Sequence, residues 1–123
     1  MAPDNQMILS FIQYYEHAFN TGRAEMGALF LAAAVMSFEG ATVVGKDEVV
    51  AKLASLPIKQ LRRDIGSLDV QPFAAAESAL LINTTGNILV DEEVHPQRYS
   101  ETFVLVPHGQ GYAIANTWFR LNF

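Results

Sequence analysis

The densest cluster of charged side chains is the run Asp91-Glu92-Glu93. It closes Asn87-Ile88-Leu89-Val90, a stretch that reads as a strand. If the strand continued, Asp91 and Glu93 would point to one side and Glu92 to the other. Two like charges on one side cost free energy unless water or a cation compensates them. Two uses are open. A solvated hairpin tip that discourages edge pairing is the commoner one. The other is a clamp for Lys or Arg on a partner, since charge-assisted pairs orient what they hold. Glu39 sits between Phe38 and Gly40. A carboxylate beside a large ring at a turn can rim an apolar pocket, or it can be an ordinary turn acid.

Other chemistries find little support. His17, His95 and His108 fall on a helix, a loop and a turn, and no two have metal-ligand spacing. No Gly-rich phosphate loop, nucleophile elbow or Ser/His/Asp arrangement stands out. No cofactor and no catalytic residue is expected. Arg62-Arg63 is a basic pair on a strand, and Asp64 dilutes it, so it makes no nucleic-acid patch. Trp118 is the single tryptophan, in Asn116-Thr117-Trp118-Phe119-Arg120-Leu121. Strand alternation sends Trp118 and Phe119 to opposite faces.

These residues need elements to hold them. Residues 5–20 carry Ile8, Ile12, Tyr15 and Phe19 on one helical stripe. Thr21 is the expected N-cap of a second, short helix facing inward with Met26, Leu29 and Phe30. Residues 35–43 lean to strand around a Glu39-Gly40 turn. Gly45 opens a third helix, with Asp47 and Glu48 in its first turn and Pro57 after its end. From residue 58 the period becomes two, and 58–71, 78–91, 98–107 and 111–121 read as strands. Helices followed by a run of strands argue for an α+β fold, with helices packed on one face of a curved, mostly antiparallel sheet. Such a cone would have an apolar interior and a second face open to a partner.

Composition sets the frame. The 123 residues suit one domain, and half of them are apolar. Without cysteine there is no disulfide, thiol catalysis or cysteine metal site. No apolar run reaches the ~18 residues of a membrane span, and Met-Ala-Pro-Asp-Asn-Gln lacks the basic start of a signal peptide. The expectation is a soluble, intracellular protein without membrane insertion. Thirteen carboxylates against eight Lys and Arg leave a net charge of −5. That repels nucleic acid and suits a basic protein partner. Mean hydropathy is nevertheless +0.17, which calls for a deep cavity or a face buried on another copy.

Several stretches together resemble the nuclear transport factor 2 family of Ran-GDP carriers. They are Phe11-Ile12-Gln13-Tyr14-Tyr15, Phe38-Glu39-Gly40, Leu56-Pro57, Asp69-Val70-Gln71-Pro72, Asp91-Glu92-Glu93 and Phe119-Arg120-Leu121. Asp91-Glu92-Glu93 followed by Pro96-Gln97-Arg98-Tyr99-Ser100 is similar to fungal members in particular. The resemblance runs from about Phe11 to Leu121 and rests on order, spacing and coverage rather than on one motif. It implies a cone of three helices on a curved sheet, paired into a homodimer through the sheets. It implies a carrier rather than an enzyme, shuttling between cytoplasm and nucleus through the nuclear pore. By position, Glu39, Asp91 and Glu93 become the acidic rim for Ran-GDP, and Phe38, Leu56, Pro57 and Trp118 the cavity wall that receives a phenylalanine of Ran. Nucleoporins with Phe-x-Phe-Gly repeats are the second implied partner. The aromatic that family members use there is replaced by Asp4, which leaves Met7 as the nearby apolar residue. Arg62-Arg63 stands where relatives often carry Gln-His.

Two other functions fit the same cone. An isomerase or dehydratase would need an inward acid or an Asp and His pair. A heterodimerising scaffold for messenger RNA export would not need the complete acidic rim.

Overall fold

The computed structural model describes residues 5–74 and 78–122. Helix α1, Asn5–Thr21, buries Ile8, Ile12, Tyr15 and Phe19, the stripe read from spacing. Each such side chain contributes roughly 1.5–3 kcal/mol when fully buried, so this face fixes α1 on the sheet. Thr21 does not cap the next helix. Its hydroxyl donates back to the His17 carbonyl at 2.8 Å, and Gly22 occupies the cap position without a side-chain bond. The second helix is a 3-10 helix, Arg23–Leu29, with Met26 buried.

Strand β1 runs Phe30–Phe38, so it starts five residues before the expected 35 and takes in Phe30. Leu31-Ala32-Ala33-Ala34 favours helix by propensity. The last strand of the chain lies parallel beside it, with Phe30 opposite Ile114 and Val35 opposite Asn116, and this pairing overrides the local preference. A two-residue turn at Glu39-Gly40 leads to β2, Ala41–Val44. Both turn residues have positive φ, 52° and 88°, as the tight hairpins that match strand twist require. Gly45 precedes α2, Lys46–Ser55, which buries Val49 and Leu53 and ends before Pro57.

The remaining strands are β3 (Leu61–Pro72), β4 (Leu80–Val90), β5 (Gln97–His108) and β6 (Gly111–Asn122). The six form one sheet in the order β2-β1-β6-β5-β4-β3. Only β1 and β6 are parallel; the other neighbours are antiparallel. Register shifts at Phe30/Val35, Ile65/Ser67 and Val104/Leu105 bend the sheet. Its concave side meets the helices through Ile82, Phe103, Leu105 and Ile114.

Gly86 marks the closest approach in the bend. A Cβ there would lie 2.2 Å from the Asp64 carbonyl oxygen and 2.7 Å from the Gly66 nitrogen. Those atoms are backbone, so no side chain fits without moving β3. Its partner on β5, Tyr99, is fully buried.

Candidate functional site: a ring-lined hollow at the acidic end of the sheet

The register brings five strand ends together. The close of β1 at Phe38, of β6 at Leu121 and of β4 at Val90 meets the start of β3 at Leu61 and of β5 at Gln97. Glu39 and the run 91–93 leave the sheet at this same end. Glu39 and the acidic run, 52 residues or more apart in sequence, therefore share one end of the cone.

Two of them are held in the same unusual way. Glu39 and Asp91 have φ of 52° and 53°, in the left-handed region that side chains rarely adopt. The Glu39 N–H donates to the Phe119 carbonyl at 2.9 Å, and the Asp91 N–H to the Gln60 carbonyl at 2.8 Å. A Glu39 carboxylate oxygen accepts from the Leu121 N–H. Asp91 Oδ1 accepts from the N–H groups of Lys59 and Gln60, each at 2.8 Å. Those two bonds, Gln60's first, hold the Asp91 carboxyl below the usual carboxylate range. Backbone strain of order 1–3 kcal/mol persists only where surroundings enforce it; here each acid is tied through both its amide and its carboxylate.

The acidic run itself lies beyond the strand. β4 ends at Val90, so alternation does not extend through 91–93. Asp91, Glu92 and Glu93 all line one groove with Asn20, Gln60 and Arg62. Glu92 and Glu93 also line a second groove with Val94, His95, Pro96 and Gln97.

Inside the rim lies a hollow lined by Tyr15, Phe19, Met36, Phe38, Leu53, Leu61, Thr117 and Phe119, with Arg63 and Glu101 in its wall. Its free space is about 340 Å³ out to the mouth, yet a water molecule's centre has only about 20 Å³ in which to move. Stacked rings form part of its wall. Phe38 stacks on Phe119 at 5.0 Å, and Phe119 on Tyr99 at 5.8 Å.

Of the four expected wall residues, only Phe38 lines this hollow. Leu56 packs half-buried against the core and Pro57 is exposed in the connection between α2 and β3. Trp118 is 43% exposed. It pairs with Ser37 and Thr102 on the convex face, and Phe119 takes the inward position. Alternation separates two neighbours but does not say which goes inward; the packing of Phe119 on Phe38 and Tyr99 decides it. Met7 lies near the start of α1 and is 39% exposed, while Asp4 falls outside the described residues.

The interior is not purely apolar. The Arg63 side chain is 5% exposed and Glu101 3%. Arg63 Nε donates to Glu101 Oε1 at 2.8 Å and Nη2 to Oε2 at 3.0 Å. Glu16 on α1 joins through Oε1, which accepts from Arg63 Nη1 at 3.3 Å and from the Arg63 amide at 2.8 Å. Burial alone would lower the Arg63 pKa, but the Glu101 charge and its hydrogen bond outweigh it and raise it. Burial first, then the Glu101 charge, pushes the Tyr15 hydroxyl above its ordinary range. The signal for this cluster was present. Arg63 is in phase with Leu61 and Ile65, and Glu101 with Tyr99 and Phe103, and each phase faces inward.

Relatives share the whole chain. The nuclear transport factor 2 (NTF2) domain matches residues 7–121. A nuclear transport factor 2 of Saccharomyces cerevisiae is 38% identical over 97% of this chain and 94% of its own. One of Schizosaccharomyces pombe is 37% identical over 100% and 99%. Among solved structures, nuclear transport factor 2 from Cryptosporidium parvum superposes with a TM-score of 0.83 at 29% identity, covering 96% of this chain and 94% of that one. With the cone, the acidic sheet end and these full-length likenesses together, the chain belongs to the nuclear transport factor 2 family.

Proposed function

We propose that the protein is a nuclear transport carrier that docks Ran-GDP at the acidic end of its sheet and returns it from cytoplasm to nucleus. The placement of Glu39 and of the run 91–93 at one end of the sheet, the end at which Phe38 lines the hollow, is the observation that supports this reading. Carboxylates at the rim would pair with Lys or Arg of the partner, and the hollow would take an aromatic side chain. The free space admits water rather than a ring, so entry requires a lining side chain such as Phe38 to move. Phe38 is half-buried beside the mouth, and its loss of stacking, about 0.5–1.5 kcal/mol, is small against a docked ring. The protein is a carrier and not an enzyme. An isomerase or dehydratase needs a free inward acid with room for substrate, whereas Glu101 is locked onto Arg63. Nucleoporin Phe-x-Phe-Gly repeats are proposed as the second partner, with Met7 near their contact.

Immobilised protein is expected to retain Ran-GDP and not Ran-GTP, less well as salt rises, because the screening length falls from about 10 Å at 0.1 M to 3 Å at 1 M. Equal retention of both nucleotide forms, or none, would remove the proposal.

The convex sheet face suits a second copy of the chain. Trp118 stands there among Ser37, Asn83 and Thr102, so its neighbours are short and polar. Light scattering should give twice the 13.5 kDa chain mass. Trp118→Glu, which buries an unpaired charge in that contact, is expected to give single chains; a stable dimer of the variant would place the interface elsewhere.

A further inference from the structure

The connection between α2 and β3, residues 56–60, has no helix or strand of its own, yet it runs between Leu53 and Leu61, which both line the hollow, and its Gln60 lines the acidic groove. Backbone partners meet two of its groups, the Leu56 N–H on the Leu53 carbonyl and the Gln60 carbonyl on the Asp91 N–H; the others need side chains or water. Arg23 supplies most of the donors. Its Nε donates to the Phe19 carbonyl at 2.9 Å. Nη1 donates to the carbonyls of Leu53 at 3.3 Å and Leu56 at 3.1 Å. Nη2 donates to Ile58 and, at 3.4 Å, to Lys59. The guanidinium also lies 4.0 Å over the Phe19 ring, which lines the hollow. From the other side, Asp91 Oδ1 accepts the N–H groups of Lys59 and Gln60. A cation thus holds the carbonyls of the connection and an anion holds its amides.

We infer that Arg23 is a positioning residue for partner docking: with Asp91 it clamps residues 56–60, and so sets the shape of the rim, without touching the partner itself. The inference rests on the proposed docking of Ran-GDP at this mouth. Asp91 then has two tasks, structural through Oδ1 and electrostatic through its charge. Lysine cannot replace Arg23, because a single ammonium cannot span five carbonyls that a planar fork reaches together.

The test compares wild type with Arg23→Lys for Ran-GDP affinity across a salt series, and for amide hydrogen exchange. Affinity is expected to fall about tenfold or more, as when about 1.4 kcal/mol of preorganisation is lost. The slope of affinity against salt should stay that of wild type, because no charge facing the partner is removed. The Lys59 and Gln60 amides should exchange faster while α1 amides stay protected. A second pair covers the case in which Arg23→Lys does not fold. Asp91→Asn keeps an oxygen that can accept both amides, and Asp91→Ala does not. The alanine variant should bind more weakly than the asparagine one and speed exchange at 59 and 60. Arg23→Lys binding like wild type, or equal behaviour of the two Asp91 variants, overturns the inference alone. Failure of wild type to bind Ran-GDP overturns the proposed function and the inference with it.

Discussion

Glu39→Lys is expected to abolish retention of Ran-GDP while the helical signal and the dimer mass stay unchanged. The substitution reverses a charge at the rim and leaves the partner's basic group facing another cation. Truncating one member of a desolvated charge pair costs roughly 2–5 kcal/mol, which is tens to thousands of fold in affinity, and reversal adds repulsion. Glu39 also accepts from the Leu121 N–H, so part of the loss could come from a loosened turn. Glu39→Gln separates the two effects. Glutamine keeps an oxygen for Leu121 and removes only the charge. It should bind more weakly than wild type with a shallower dependence on salt, and more strongly than the lysine variant. If Glu39→Lys binds as wild type does, Glu39 is not part of the docking rim.

The largest stability effect is expected from the buried ion pair. Arg63→Ala or Glu101→Ala strands a charge in a wall that is 3–5% exposed. Breaking such a pair from one side costs about 3–5 kcal/mol, a large share of the 5–15 kcal/mol that holds a typical domain together. Arg63→Ala should be the worse of the two, because it removes both donors from the Glu101 carboxylate, whereas Arg63 in Glu101→Ala keeps its 3.3 Å contact to Glu16 and its place over the Tyr15 ring. The double variant Arg63→Met with Glu101→Leu removes both charges and refills the space. It should regain most of the lost stability, since apolar replacements of buried pairs are often neutral. Urea unfolding of the four proteins measures this. A double variant no more stable than the worse single one would mean that packing, not charge pairing, sets the cost.

The clamp on residues 56–60 connects these sites. Arg23 reaches the Leu53 and Phe19 carbonyls behind the hollow, and Asp91 reaches Lys59 and Gln60 beside the acidic groove. The rim acids are therefore not free side chains on a mobile turn. Glu39 is tied to β6 and Asp91 to the connection before β3, which would lower the ordering cost of the proposed docking.

Much of this protein is legible in local pattern. The stripe Ile8, Ile12, Tyr15 and Phe19 determines α1, because helical spacing alone selects the buried face. Period-two alternation locates the four long strands, and Glu39-Gly40 and Pro57 mark where elements stop. The acidic run and Glu39 are visible as residue types. What local pattern lacks is sidedness and distance. Parity separates Trp118 from Phe119, but only the stack Phe38–Phe119–Tyr99 sends Phe119 inward. Phase suggests that Arg63 and Glu101 face inward, but their meeting, 38 positions apart, needs β4 between β3 and β5. The strand start at Phe30 needs a parallel neighbour from the far end of the chain. Arg23 shows no motif at all, because its partners are backbone carbonyls, which every residue carries. The acidic mouth belongs to both levels: the carboxylates are written in the chain, and the sheet register decides that they share one end.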